Sequence, residues 1–160
     1  MLLTIEKVMI LRSVQIFAET PDSVLAEIAA ILKQVEIAAG ANIFNKGDTG
    51  DCLYVIGSGR VRIHDGDLTL TTLGERDLFG ELALLDAEPR SASATAETPT
   101  RLFRVDQEAF YDLMADRIEV VRGILRVLCR RVRAKNVDRV QAAGPTSQPM
   151  TPAKPATGAA

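Results

Sequence analysis

The stretch Cys52-Leu-Tyr-Val-Ile-Gly57-Ser-Gly59-Arg-Val-Arg-Ile-His64-Asp65-Gly66-Asp-Leu68-Thr-Leu-Thr-Thr-Leu73 decides the fold. Asp65-Gly66 stands between Val61-x-Ile63 and Leu68-x-Leu70, a turn pair flanked by alternating apolar residues, which is a strong β-hairpin signal. Gly57-Ser-Gly59 separates two more short runs, Cys52–Ile56 and Arg60–His64. The same rhythm continues outward. Val35–Ala38 and Asn42–Phe44 lie upstream, and Leu68–Leu73, Ser91–Thr95 and Arg101–Val105 follow. Gly40, Gly47-Asp48, Gly50-Asp51 and Gly74 fall at the breaks. Many short strands at close spacing predict an antiparallel β-roll or jelly-roll barrel. Phe79–Leu85 interrupts the series and reads as one short helix.

Helical patterns flank the strands, so the class is mainly β with flanking α. Ile5, Val8, Met9 and Leu11 have helical spacing. Thr20-Pro21-Asp22 reads as a cap, a proline at the first helical position and an acid in the first turn, with Val24, Leu25, Ile28, Ile31 and Leu32 as the buried face. Gln107–Met114 is a further helix. Arg117–Val140 is a long one, with Val121, Ile124, Leu125, Leu128 and Val132 on one face and Gly123 as a local weakness of about 1 kcal/mol against alanine. Composition changes after that. Residues 141–160 hold four of the seven prolines and a single charge, too little apolar surface to offset chain entropy. The expected organisation is therefore a domain over residues 1–140 and a disordered Pro/Ala-rich tail or linker over 141–160.

Several function classes are excluded by what the chain lacks. It has 160 residues, one histidine and two cysteines. His64 alone does not assemble a cupin-type metal site, a zinc enzyme or a Ser/His/Asp hydrolase, so no metal and no catalysis are expected. Cys52 and Cys129 are too few for a disulfide framework and read as packing residues. The net charge of −2 gives no bulk case for nucleic acid or an acidic membrane. No apolar run approaches the ~20 residues of a spanning helix, and the N-terminus lacks the order of parts of a signal peptide, so the expected location is cytoplasmic.

The segment with chemical content is Phe79-Gly-Glu-Leu-Ala-Leu-Leu-Asp-Ala-Glu-Pro-Arg-Ser-Ala-Ser-Ala-Thr-Ala96. A glycine before a short helix leaves first-turn N–H groups open to an anion. Arg90, just after Pro89, offers a planar fork of donors that matches a phosphate. Ser91 adds a hydroxyl and Ala92 an N–H beside a minimal side chain. Glu81, an acceptor only, suits a sugar hydroxyl and repels phosphate. These parts describe a small ligand that carries a phosphate and a free hydroxyl.

The segment resembles the phosphate-binding cassette of the cyclic-nucleotide-binding domain, which occurs in kinase regulatory subunits, gated channels and bacterial catabolite activators. A second signature agrees: Gly47-Asp48-x-Gly50-Asp51-x-x-Tyr54-Val55-Ile56-x-x-Gly59-x-Val61. The resemblance covers about Leu11–Asn136. It implies that Glu81 holds the ribose 2′-hydroxyl and Arg90 the cyclic phosphate. Backbone groups of Gly80, Ala83 and Ala92 would support the sugar-phosphate. Leu82 lies within the same cassette, and Ser91 stands where it can touch phosphate. Ile63 and Leu70 would meet the purine, and Asn136 on the C-terminal helix the adenine amino group. Cyclic AMP is the expected ligand, with cyclic GMP the alternative.

The resulting expectation is a regulatory sensor that closes its C-terminal helix over the bound base and acts on an effector outside this sequence. One alternative is a ligand-free structural or protein-interaction β-roll in which Glu81 and Arg90 only hold the loop. Another is the sensor half of a transcription regulator without its DNA-binding domain. Eight basic residues against Glu119 and Asp138 give the last helix +6, leaving −8 elsewhere. That reads first as a solvated face complementing an acidic body. Homodimer contacts along Ile124, Leu128 and Val132 are a second use of the helix. Direct sequence-specific DNA readout is not expected, because the residues after it hold no helical apolar pattern.

Overall fold

Hydrogen-bonded pairing of Asp65 with Leu68 closes the expected hairpin, joining β4 (Val61–Asp65) to β5 (Leu68–Leu73) across Gly66-Asp67. The computed structural model describes residues 2–80, 86 and 88–144. The other strands are β1 (Lys33–Ile37), β2 (Asn42–Phe44), β3 (Cys52–Ser58), β6 (Leu78–Phe79), β7 (Ser93–Ala96) and β8 (Thr100–Asp106). They form two four-stranded antiparallel sheets, ordered β1-β8-β3-β6 and β2-β7-β4-β5.

The core lies between the sheets. Cys52, Tyr54, Ile56, Phe79 and Leu102 come from the first, and Val61 and Ala94 from the second. Leu53 and Val55, on the opposite face of β3, are also fully buried. β3 is thus covered on both faces, which is why it reads as an unbroken apolar run.

The helices are α1 (Thr4–Ser13), α2 (Asp22–Ile31), α3 (Gln107–Asp116) and α4 (Ile118–Ala143), with a 3₁₀ turn at Gln15–Phe17. Phe17 and Phe110 meet edge to face at 6.4 Å. The chain divides into two compact units, Met1–Val127 and Leu128–Ala160. The second is described as the continuation of α4 to Ala143, so the expected boundary at Val140 falls inside a helix. The tail beyond Gly144 lies outside the described residues.

Several local expectations shift. α2 begins one residue late, with Pro21 as its cap. Thr20 caps nothing: its buried hydroxyl has no partner among the described residues. On α1 only Leu11 is fully buried, while Ile5 and Met9 are exposed. On α4 the buried face is Val120, Gly123, Ile124 and Val127, and Leu125 and Val132 are exposed. The reason is Gly123, where an added Cβ would lie 3.2 Å from the Ile16 carbonyl oxygen. Its missing side chain lets α4 approach the 3₁₀ turn, and that contact rotates the helix. Cys129, expected to pack, is exposed. Phe79, expected to open a helix, belongs to a two-residue strand paired with Tyr54.

Basic residues at and just before α4 meet acidic ones. Arg117, between α3 and α4, pairs with Glu27, and Arg126 on α4 with Glu19. No described helix is long and apolar enough to cross a membrane.

Candidate functional site

A cavity of about 470 Å³ opens beside β4, β5 and β6, within the size range of small-ligand sites. Ile63, Thr71, Leu73, Leu78 and Phe79 form strand walls, joined by Phe44 from β2. Gly80, Asp86 and Glu88–Ala92 border the remainder.

Arg90 is the side chain that gives this cavity a chemical character. It is only 7% exposed. Its Nη2 donates to the Cys52 carbonyl at 2.9 Å and approaches the Cys52 Sγ at 3.5 Å, and its Nη1 donates to the Gly80 carbonyl at 3.3 Å. The Cζ lies 4.1 Å from the centroid of the Phe44 ring. All these partners are neutral, and they use at most three of the five guanidinium N–H groups. Arg90 is therefore a buried cation with no carboxylate partner among the described residues. Burying an uncompensated charge is costly, and an anion in the cavity offsets that cost.

The two sequence signatures meet at this residue. The Gly47 N–H donates to the Arg90 carbonyl at 2.8 Å, and the Arg90 N–H donates to the Asp48 carbonyl at 2.8 Å. Gly47 has a φ of +87°, the left-handed region that glycine tolerates. Asp48 steadies the turn by accepting the Asn45 N–H on Oδ2 at 2.9 Å. Cys52 follows on β3. The Gly47–Cys52 segment thus fixes the backbone and the side chain of Arg90 together.

Beneath the arginine, three rings pack. Phe44 and Tyr54 stack at 6.2 Å, Tyr54 and Phe79 at 5.2 Å, and Phe44 and Phe79 at 5.9 Å. Burial, with the Cys52 side chain as hydrogen-bond partner, pushes the Tyr54 phenol up to about 12. Tyr54 therefore stays neutral and adds no counter-charge.

The candidate residues fall as follows. Gly80, Arg90, Ser91, Ala92 and Ile63 all border the cavity, with Ser91 exposed and Ala92 buried. Glu81, Leu82 and Ala83 lie outside the described residues, as does most of the expected cassette helix. Leu70 is 54% exposed and is not part of the lining. The cause is a bulge: Ile63 pairs with Thr71 and His64 with Thr69, leaving Leu70 unpaired. One extra residue reverses the inward set of β5, so Thr71 and Leu73 take the place expected for Leu70. Asn136 is exposed on α4, in the second compact unit.

A family model, the cyclic nucleotide-binding domain, matches residues 34–117. The chain belongs to the cyclic nucleotide-binding domain family. It is 39% identical over 132 residues to a CRP-like cAMP-activated global transcriptional regulator of Mycobacterium tuberculosis; the match covers 79% of this chain and 59% of that protein. The chain thus spans little more than half the length of that relative. Among solved structures, the N-terminal domain of a transcriptional regulator from Streptomyces coelicolor A3(2) aligns with a TM-score of 0.73 at 35% identity, covering 81% of this chain and 93% of that one. The regulatory domain of Toxoplasma gondii PKA, crystallised with cAMP, aligns with a TM-score of 0.64 at 28% identity, covering 69% and 44%.

In this cyclic nucleotide-binding domain, sequence reasoning missed Phe44, Thr71, Leu73 and Leu78 as lining residues. Thr71 and Leu73 share the face that the bulge turns inward, so alternation from Leu68 and Leu70 points away from both, and the contact of Phe44 with Arg90 joins residues from separate strands and loops. No group of three metal-ligating side chains occurs among the described residues.

Proposed function

We propose that this domain is a regulatory sensor of a cyclic nucleotide, with cyclic AMP as its ligand and no catalytic step of its own. The observation that carries this reading is Arg90, a buried guanidinium whose partners among the described residues are all neutral, on the wall of a ligand-sized cavity. In this proposal Arg90 binds the cyclic phosphate and Glu81 the ribose 2′-hydroxyl. Gly80, Ala83 and Ala92 supply backbone N–H groups, Ser91 a hydroxyl, and Ile63 and Thr71 a wall for the base. Asn136 is assigned to the adenine amino group.

Ligand binding biases the position of α4, and the bias is no larger than the difference in affinity between the two helix positions. The output is an effector outside this sequence, acting in the cytoplasm. A second copy is a further partner of the helix. Leu125 and Val132, seven residues apart and both exposed, supply apolar positions at coiled-coil spacing. Ile124, expected in that contact, is buried instead.

Calorimetric titration with cyclic AMP, cyclic GMP and 5′-AMP tests the proposal. Micromolar or tighter binding of cyclic AMP, with 5′-AMP much weaker, supports it. No heat and no thermal stabilisation at millimolar ligand refutes it, and the loop becomes scaffold.

A further inference from the structure

We propose that Phe44 is a positioning residue for Arg90, acting through the face of its aromatic ring. The inference rests on the cavity being a cyclic-nucleotide site and adds how its cation is aimed. The two carbonyl oxygens, of Cys52 and Gly80, grip the guanidinium along its edge. Edge contacts leave the plane free to tilt about the line joining them. Among the described residues the ring of Phe44, 4.1 Å from Cζ, is the aromatic surface that meets the group, well inside the ~6 Å reach of a cation–π contact.

The ring is itself fixed. It packs on Tyr54 and Phe79, which stack on each other with their planes 20° apart. Across the strand pair it faces Ala94, a small and fully buried residue. The ring therefore has little room to follow a tilting guanidinium.

The chemistry of this partner matters as much as its shape. A carboxylate at the same place would orient Arg90 equally well and would neutralise it. An aromatic face orients it and leaves the full positive charge for an incoming anion. Leucine retains bulk but has no such face, so Phe44→Leu is expected to weaken cyclic AMP binding by roughly five- to thirtyfold.

The test replaces Phe44 alone with phenylalanines bearing successive ring fluorines, which draw electron density from the face while nearly conserving shape. Cyclic AMP affinity by calorimetry is expected to fall stepwise along the series. A flat series overturns the inference and leaves the proposed function standing. Alongside it, Phe44→Leu and Arg90→Gln are combined in denaturation without nucleotide. The double variant is expected to lose less stability than the sum of the singles. Wild-type protein that takes up no cyclic AMP refutes the proposed function. The denaturation cycle then judges the ring–arginine contact alone, and additive losses overturn it.

Discussion

Gly80→Ala tests the geometry around Arg90 with one methyl group. A Cβ at Gly80 would lie 2.5 Å from Arg90 Nη1 and 3.3 Å from the Cys52 carbonyl oxygen. Ordinary contact begins near 3.4 Å, so the guanidinium must retreat by about 1 Å. It is held by the 2.9 Å hydrogen bond to Cys52 and by the ring of Phe44. A shift of that size takes the hydrogen bond beyond useful length. Losing a charge-assisted bond costs roughly 1.5–3 kcal/mol, and alanine at a φ of +78° adds about 1 kcal/mol of backbone strain. The sum is about 2.5–4 kcal/mol.

Gly66→Ala is the control. Its φ is +57°, with nothing within 4 Å of the added Cβ, so it carries the backbone strain alone. Chemical denaturation of both variants without nucleotide isolates the collision as their difference. Cyclic AMP titration of the Gly80 variant should show affinity lower by about ten- to a hundredfold. Equal losses of stability in the two variants, together with unchanged affinity, would refute the reasoning.

Further outcomes follow from other parts of the structure. Arg90→Ala should weaken cyclic AMP binding by ~2–5 kcal/mol; calorimetric affinity matching wild type would remove the phosphate role. Glu81→Gln should weaken it less, and the 2′-deoxy nucleotide should not sense that change; equal sensitivity would take Glu81 off the ribose. Asp106 is held below its ordinary value of 3.8 by Lys33 and then Arg104, and Glu27 and Glu36 below 4.5 by Arg117 and Arg101. Depressed carboxyls contribute stability that is present above those ordinary values and is lost as pH falls through the lower folded ones. Melting temperature should therefore drop on acidification below about pH 4, less steeply in Asp106→Asn. Sedimentation at rising concentration should show self-association that Leu125→Glu abolishes; a wild type that stays monomeric would set the dimer aside.

The hairpin and most strands were legible because turn residues and β-branched runs mark them locally. β7 begins at Ser93, two residues later than expected, because Pro89–Ser91 belongs to the cavity border rather than to the sheet. β6 was not legible: two residues carry no alternation, and only pairing with Tyr54 and Val55 makes them a strand. The face of α4 was misjudged because glycine counts as nothing in a hydrophobic pattern, yet Gly123 is buried and faces the Ile16 carbonyl closely. Motif chemistry singled out Arg90 for its donors, and the structure sets it on the cavity wall. Its neutral partners among the described residues were out of reach, since Phe44 and Cys52 lie far from it in sequence.

The sheet order has a consequence for synthesis. β1 pairs with β8, β2 with β7, β3 with β8 and β4 with β7, so the early strands wait for the last ones. Among the described strands, the β4–β5 hairpin and the short β3–β6 pairing are complete before β7 and β8 emerge, and such long-range topologies fold slowly. The cradle of Arg90 draws on Cys52, 38 residues away, on a strand whose partner β8 ends at Asp106. A ribosome must therefore release residues past Asp106 before the cradle of Arg90 is complete, so the proposed site is either finished or absent.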